Sequence, residues 1–294
     1  FVAQIIAALN NFVFGFFNGL RDTFRYSLVV IAGNVVTIIV AYYCISKYGF
    51  LGAIVALTMP IISPLLPAFY FYIKGRFQFE FCSSEIFKDF NKLSRYSFML
   101  MVSAICFPIV EILVRQNIIN NIGLDESGIW QALIRLSVAY LSFFSIFLSF
   151  YLVPIVSATS DRILIRSAVL KTMTFLTALF LCVFSIIILF KNFFIVLVFS
   201  PEFFVVGQHL ALQMLGDYFR IMWWVIGFVV VAKASTKLYI CGELFQGFIF
   251  VILSFFSLAY FGTLQGVVLS YAVTCISYFI ISVTGFLLYL KKIY

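Results

Sequence analysis

Charge is scarce in this sequence. Asp, Glu, Lys and Arg make up 10% of its 294 residues, where a water-soluble domain carries about 25%. Too few polar side chains remain to clothe a globule in water, so lipid must be the solvent for most of the chain. Mean hydropathy is +1.15. Metal chemistry is equally poorly supplied. A single His209 and six scattered cysteines (Cys44, Cys82, Cys106, Cys182, Cys241, Cys275), none in a CxxC pair, exclude a zinc site of ordinary ligand spacing. Most of these cysteines lie in apolar runs and read as small buried hydrophobes. No GxxxxGK[ST] loop occurs, so ATP is not a direct fuel. No cofactor and no catalytic group are expected. The chain opens at Phe1 inside an apolar run, without a charged leader, which reads as a chain whose N-terminal part is missing.

What is abundant is hydrophobic length. A membrane span needs about 20 mostly apolar residues, and nine such runs follow one another: Phe1–Gly19, Tyr26–Ser46, Phe50–Ile73, Tyr96–Ile118, Gly128–Val153, Ala168–Phe190, Gln208–Ala232, Leu238–Phe261 and Leu264–Leu290. Open sheets cannot exist in hydrocarbon, and runs this long are not barrel strands, so the expected fold class is all-α, a polytopic helix bundle. Two joints are tight hairpins, at Lys47-Tyr48-Gly49 and at Gly262-Thr263.

Lys and Arg orient the bundle. With alternating loops, one side collects Arg21, Arg25, Lys74, Arg76, Lys88, Lys92, Arg95, Arg162, Arg166, Lys171, Lys233, Lys237, Lys291 and Lys292, and the other only Lys47 and Lys191. The basic side is cytoplasmic, and so is the C-terminus. The net charge of +8 is thereby a topology signal, and no nucleic-acid partner is needed to explain it. The one long polar stretch, Lys74–Arg95, reads as a cytoplasmic connector. It divides the chain into 1–73, the second half of an N-terminal lobe, the connector 74–95, and a C-terminal six-helix lobe at 96–294.

A weak repeat supports this division. Gly15-Phe16 with Arg21 and Arg25 matches Gly227-Phe228 with Lys233 and Lys237. One helix later Tyr48-Gly49 matches Phe261-Gly262, and Gly52 matches Gly266. Both copies have the same membrane orientation, so their axis lies along the membrane normal. Completing the repeat takes about three more helices upstream of Phe1, for twelve in two six-helix lobes.

Ionisable groups at bilayer depth are functional candidates because each costs about 2.5–3.5 kcal/mol to insert. Five stand out: Glu111, Arg115, Arg135, Asp217 and Arg220. Glu111 with Arg115, and Asp217 with Arg220, have the spacing of pairs on one helix face. Gln131, Arg135, Ser142, Ser145 and Ser149 form one stripe, and Gln213, Asp217, Arg220 and Trp224 share another. One reading makes these groups interhelical ties. The other makes Arg115, Arg135 and Arg220, with Gln131, Ser142 and Trp224, the wall of a cavity that binds an anionic head group through guanidinium forks. Glu111 and Asp217 then hold the arginines or carry protons, and His209 either assists a proton step or sits at the membrane interface. Pro108, Pro60, Pro64 and Pro67 predict kinks.

Several stretches, taken in order, resemble one family. Asn18-Gly19-Leu20-Arg21-Asp22, Ala41-Tyr42-Tyr43 and Tyr48-Gly49 with Gly52-Ala53 are similar to Wzx-type flippases. So are Asp125 to Gln131, Leu215-Gly216-Asp217 with Arg220, and Val231 to Ser235 with Glu243 after it. The resemblance, to flippases of the enterobacterial common antigen and O-antigen kinds, implies the multidrug/oligosaccharidyl-lipid/polysaccharide exporter superfamily. It implies twelve helices in two lobes around a cavity, in the bacterial inner membrane. The implied cargo is an undecaprenyl-pyrophosphate-linked oligosaccharide, with membrane lipids and polysaccharide-assembly membrane proteins as partners. The family is a secondary-type transporter, not an enzyme. Two alternatives stay open: a drug or cation antiporter of the same superfamily, and an O-antigen polymerase or polyprenyl glycosyltransferase. Three arginines against two acids speak against the antiporter. Short loops on the side opposite the cytoplasm speak against the polymerase, and the lack of a DxD motif against the transferase.

Overall fold

The computed structural model describes residues 2–19, 23–74, 83–159, 161–199, 201–233 and 235–291. Helix is the only regular structure among them. The helices are α1 (Val2–Gly19), α2 (Thr23–Ala56), α3 (Met59–Ile62), α4 (Leu65–Lys74), α5 (Ser83–Ile122), α6 (Leu124–Ala158), α7 (Arg162–Leu189), α8 (Lys191–Val198), α9 (Val206–Ala232), α10 (Thr236–Phe261) and α11 (Leu264–Lys291), with a 3-10 turn at Pro201–Val205. Seven of the helices are long and apolar enough to cross a membrane. Large apolar side chains stand exposed along them, Phe248, Phe256 and Tyr260 among others, as a lipid-facing surface requires. The chain is a polytopic α-helical membrane protein.

The chain divides into two compact units, Phe1–Ser83 and Ser84–Tyr294. Of the expected connector, residues 75–82 lie outside the described residues, as do Leu20, Arg21 and Asp22; from Ser83 onward the connector is helical, as the start of α5.

In the first unit, the run expected to be one span, Phe50–Ile73, is divided among the end of α2, α3 and α4. Prolines are the cause: Pro60 sits at the first turn of α3, where its missing N–H costs nothing, and Pro64 begins the turn into α4. Backbone groups freed in this way must find partners, because hydrocarbon offers none. The Asn10 amide donates to the Ile61 carbonyl. The Ser63 hydroxyl donates to the Gly33 carbonyl at 2.9 Å and lies 2.6 Å from the Thr37 hydroxyl. Gly33 has no room for a side chain: a Cβ there would lie 2.9 Å from Pro64.

Both expected hairpins are present, the first inside α2, which breaks into two helical segments at the non-helical Gly49, and both use the same device. Gly49 and Gly262 have φ of 56° and 61°, a region that only glycine enters freely. Just past each turn a second glycine presses on the helix it has left. A Cβ on Gly52 would fall 1.9 Å from the Cys44 carbonyl oxygen, and one on Gly266 would fall 2.3 Å from the Ser257 hydroxyl. Cys44 and Ser257 each stand five residues before their hairpin glycine. The matched residues of the repeat therefore do matched work.

In the second unit α9 is the central helix. Half of its apolar window is buried, against 11–28% for the other spans. Leu210, Met214, Ile221 and Val225 on α9 pack into one core with Leu133, Leu148, Leu176 and Val268 of the helices around it. Small residues let backbones approach in a membrane, where hydrophobicity alone does not drive helices together. Gly216 does this for α9 and α11, since a Cβ there would meet the Tyr271 ring at 2.7 Å and Ala272 Cα at 3.1 Å. α5 runs on as a helix through Pro108.

Candidate functional site

Five helices of the second unit, α5, α6, α9, α10 and α11, enclose a cavity of about 410 Å³. Its wall on α9 runs from Gln213 to Val231, about 27 Å at 1.5 Å per residue. The wall is aromatic with a few polar groups. Trp130, Trp223, Trp224, Phe107, Phe228 and Phe250 supply rings, while Arg220, Glu111, Glu243, Gln213, Gln246 and Tyr239 supply the polar atoms. A mostly apolar hollow of this size with a few convergent polar groups has the character of a ligand pocket.

Beneath the cavity lies a buried knot. Asp217 is 0% exposed and accepts hydrogen bonds from Ser137 at 2.7 Å, from Tyr140 and from Tyr271. Ser137 is held in turn by Gln213 Nε2 at 3.1 Å. Three hydroxyls fill most of the acceptor capacity of one carboxylate, so α6, α9 and α11 are tied at a single point. Tyr271 carries the knot to the cavity, where Arg220 Nη1 lies 3.3 Å from its hydroxyl. The Arg220 guanidinium also stands over the rings of Phe107 at 5.5 Å and Trp224 at 5.3 Å, the geometry of cation–π attraction. Its Nε, and Trp223 Nε1, are buried without a hydrogen-bond partner among the described residues.

Arg220, Trp224 and Glu111 line the cavity as expected from the sequence, and Asp217 backs it. The expected Asp217–Arg220 pair is bridged by Tyr271. Glu111 accepts from Gln131 Nε2 at 3.0 Å on α6, where the spacing had suggested Arg115. Arg115, Gln131, Arg135 and Ser142 do not line the cavity; Gln131 is half-buried and bonded to Glu111, and the other three are exposed. Helix geometry explains this. The cavity face of α6 is set by Trp130, Ile134, Ser137, Val138 and Ser145, and at 100° per residue Arg135 lies about 100° round from its centre. Arg115 is displaced by a similar angle from the cavity face of α5. The Ser142 hydroxyl donates to the Ala139 carbonyl of its own helix at 2.9 Å. The positive excess expected of a three-arginine cavity is thus absent from it: one arginine shares the wall with Glu111 and Glu243. His209, in the first turn of α9, is away from the cavity as well.

Sequence reasoning passed over Ser103, Tyr239 and Tyr271, and took Glu243 only as part of the family resemblance and not as a site residue. Ser103 and Tyr239 join α5 to α10 through hydroxyls 2.7 Å apart. Glu243 is an ionisable group inside an apolar run, the signal used for the other five, and its four-residue spacing from Tyr239 places both on one face.

No family model matches the chain. Among curated proteins it is 26% identical over 293 residues to the lipid III flippase of Escherichia coli (strain K12) and, equally, to that of Shigella flexneri. The match covers 99% of this chain and 70% of either relative. Among solved structures it superposes on the inward-facing conformation of a multidrug resistance MATE family transporter of the MOP superfamily with a TM-score of 0.78. Identity there is 17%, covering 99% of this chain and 70% of that one. The outward-facing conformation of such a transporter gives 0.77 at 16% identity, covering 97% and 67%. A MOP superfamily transporter from Pyrococcus furiosus gives 0.73 at 16% identity, also covering 97% and 67%. The fold is that of the MATE transporters, and the likeness to flippases read from the residues is matched by the curated relatives.

Proposed function

We propose that the protein is a flippase that carries an undecaprenyl-pyrophosphate-linked oligosaccharide from the cytoplasmic to the periplasmic leaflet of the bacterial inner membrane. It does so by alternating access, as a secondary transporter with its C-terminus in the cytoplasm. One observation carries the reading: a ring-lined cavity with a few convergent polar groups inside membrane-spanning helices, in a chain similar over 99% of its length to lipid III flippases. Polysaccharide-assembly membrane proteins are the partners this reading expects.

Arg115 and Arg135 take the anionic part of the cargo in this scheme. Both are exposed on the second unit, and Arg135 lies eleven residues into α6, about 16 Å from its start. A guanidinium at that depth cannot face hydrocarbon cheaply, so its face meets water, protein or cargo. Bidentate contact with a pyrophosphate satisfies it. Arg135→Ala should then lower delivery of lipid-linked units to the periplasmic face by about tenfold or more, with Arg135→Lys a partial rescue because the fork is lost. Undiminished delivery at normal expression refutes the role.

The exchange of an organic cation is the second reading, favoured by Glu111 and Glu243 on the cavity wall. Against it stands Arg220, which already occupies the faces of Phe107 and Trp224 with a cation of the chain's own.

A further inference from the structure

We infer that the cavity of the second unit seats sugar rings of the cargo and not its pyrophosphate; the inference rests on the flippase reading and assigns the cavity a part in it. The charge of the wall is the first ground. Arg220 is the one cation among the described wall residues, and Glu111 and Glu243 share the wall with it. A pyrophosphate placed there meets two carboxylates for one guanidinium, and like charges at close range disfavour it. Arg220 is also engaged already, by Tyr271 and by two rings.

The rings are the second ground. The chain has three tryptophans, and all three, Trp130, Trp223 and Trp224, stand on this wall. A pyranose has an apolar face of C–H bonds and a rim of hydroxyls. Aromatic faces cover the first, and side chains that hold donor and acceptor atoms together engage the second. Gln246, Glu243 and Tyr239 supply such atoms on α10. A neutral, hydroxyl-rich ligand matches each of these features. An organic cation is repelled by Arg220 where it stands over Phe107 and Trp224, so the aromatic faces that would hold one are taken.

The tryptophans make the test direct, because the intrinsic emission of the protein reports on this one wall. The full chain, purified in detergent, is titrated with N,N′-diacetylchitobiose, with inorganic pyrophosphate and with tetraphenylphosphonium, and delivery of lipid-linked units is measured in cells in parallel. The disaccharide should change the emission saturably, and pyrophosphate should not. Trp224→Ala should weaken the disaccharide about three- to tenfold, and Gln246→Leu, which keeps the three reporters and the wall's volume, about tenfold. Glu243→Gln should cost only about threefold, because an amide still bonds hydroxyls. A saturable response to pyrophosphate, or none to the disaccharide, in a protein that delivers lipid-linked units overturns the sugar subsite alone. Absence of delivery, with a response to tetraphenylphosphonium that Glu243→Gln abolishes, overturns the flippase reading beneath it.

Discussion

Replacing Tyr271 by Phe removes one oxygen atom and two hydrogen bonds. The hydroxyl donates to Asp217 and accepts from Arg220, so the substitution separates the buried knot from the cavity. Interhelical hydrogen bonds in membranes average about 0.6 kcal/mol and reach about 1.7, while bonds to charged groups are worth about 1.5–3. The Tyr271–Asp217 bond belongs near the top of the membrane range, since Asp217 is fully buried and has only Ser137 and Tyr140 left to satisfy it. A double-mutant cycle of Tyr271→Phe with Asp217→Ala should yield a coupling of about 1.5 kcal/mol. The measurement is reversible unfolding of the purified chain in mixed micelles, with Phe filling the ring's place so that packing is kept. Because Tyr271 also positions Arg220, the single variant should weaken disaccharide binding as well. A coupling under about 0.3 kcal/mol, within the error of additivity for independent sites, would refute the knot as a stabilising element.

Two further outcomes follow from backbone contacts. Gly216→Leu should abolish the folded protein, because its side chain must enter the space of the Tyr271 ring and Ala272; overpacking of this kind costs about 1–3 kcal/mol or more, and retention of normal yield and thermal stability would count against the close α9–α11 contact. Gly52→Val and Gly266→Val should each lower the unfolding temperature, as both glycines abut the preceding helix, whereas Gly128→Ala, with open space at its Cβ, should leave it unchanged; equal effects at all three positions would dismiss the hairpin device.

The helices and their hairpins were legible because their causes are local. A run of apolar residues as long as Leu264–Leu290 has no stable form in lipid but a helix, and a glycine with positive φ at Gly49 or Gly262 reverses the chain whatever surrounds it. The third expected span was less legible. Its hydrophobicity argued for one helix and its three prolines for several, and tertiary bonds from Asn10, Gly33 and Thr37 made the divided form affordable.

The standing of Glu111, Asp217 and Arg220 as charges inside apolar runs was likewise readable, and in the fold Glu111 and Arg220 line the cavity while Asp217 backs it through Tyr271. Which face of a helix turns inward is another matter. The polar stripe of Gln131, Arg135 and Ser142 is a true stripe, yet α6 turns Ser137 and Trp130 toward α9 because Asp217 and the core leucines wait there. Sequence alone determined that this chain lives in lipid as a helical bundle and which charges stand inside apolar runs, whereas the nine expected spans became seven helices long and apolar enough to cross among the described residues, because prolines and tertiary bonds divide one of the runs. Only the packing of five helices decided that Arg220 shares a ring-lined hollow with Glu111 and Glu243 while Arg135 lies outside it, because a pocket is a property of neighbours and no single helix carries it.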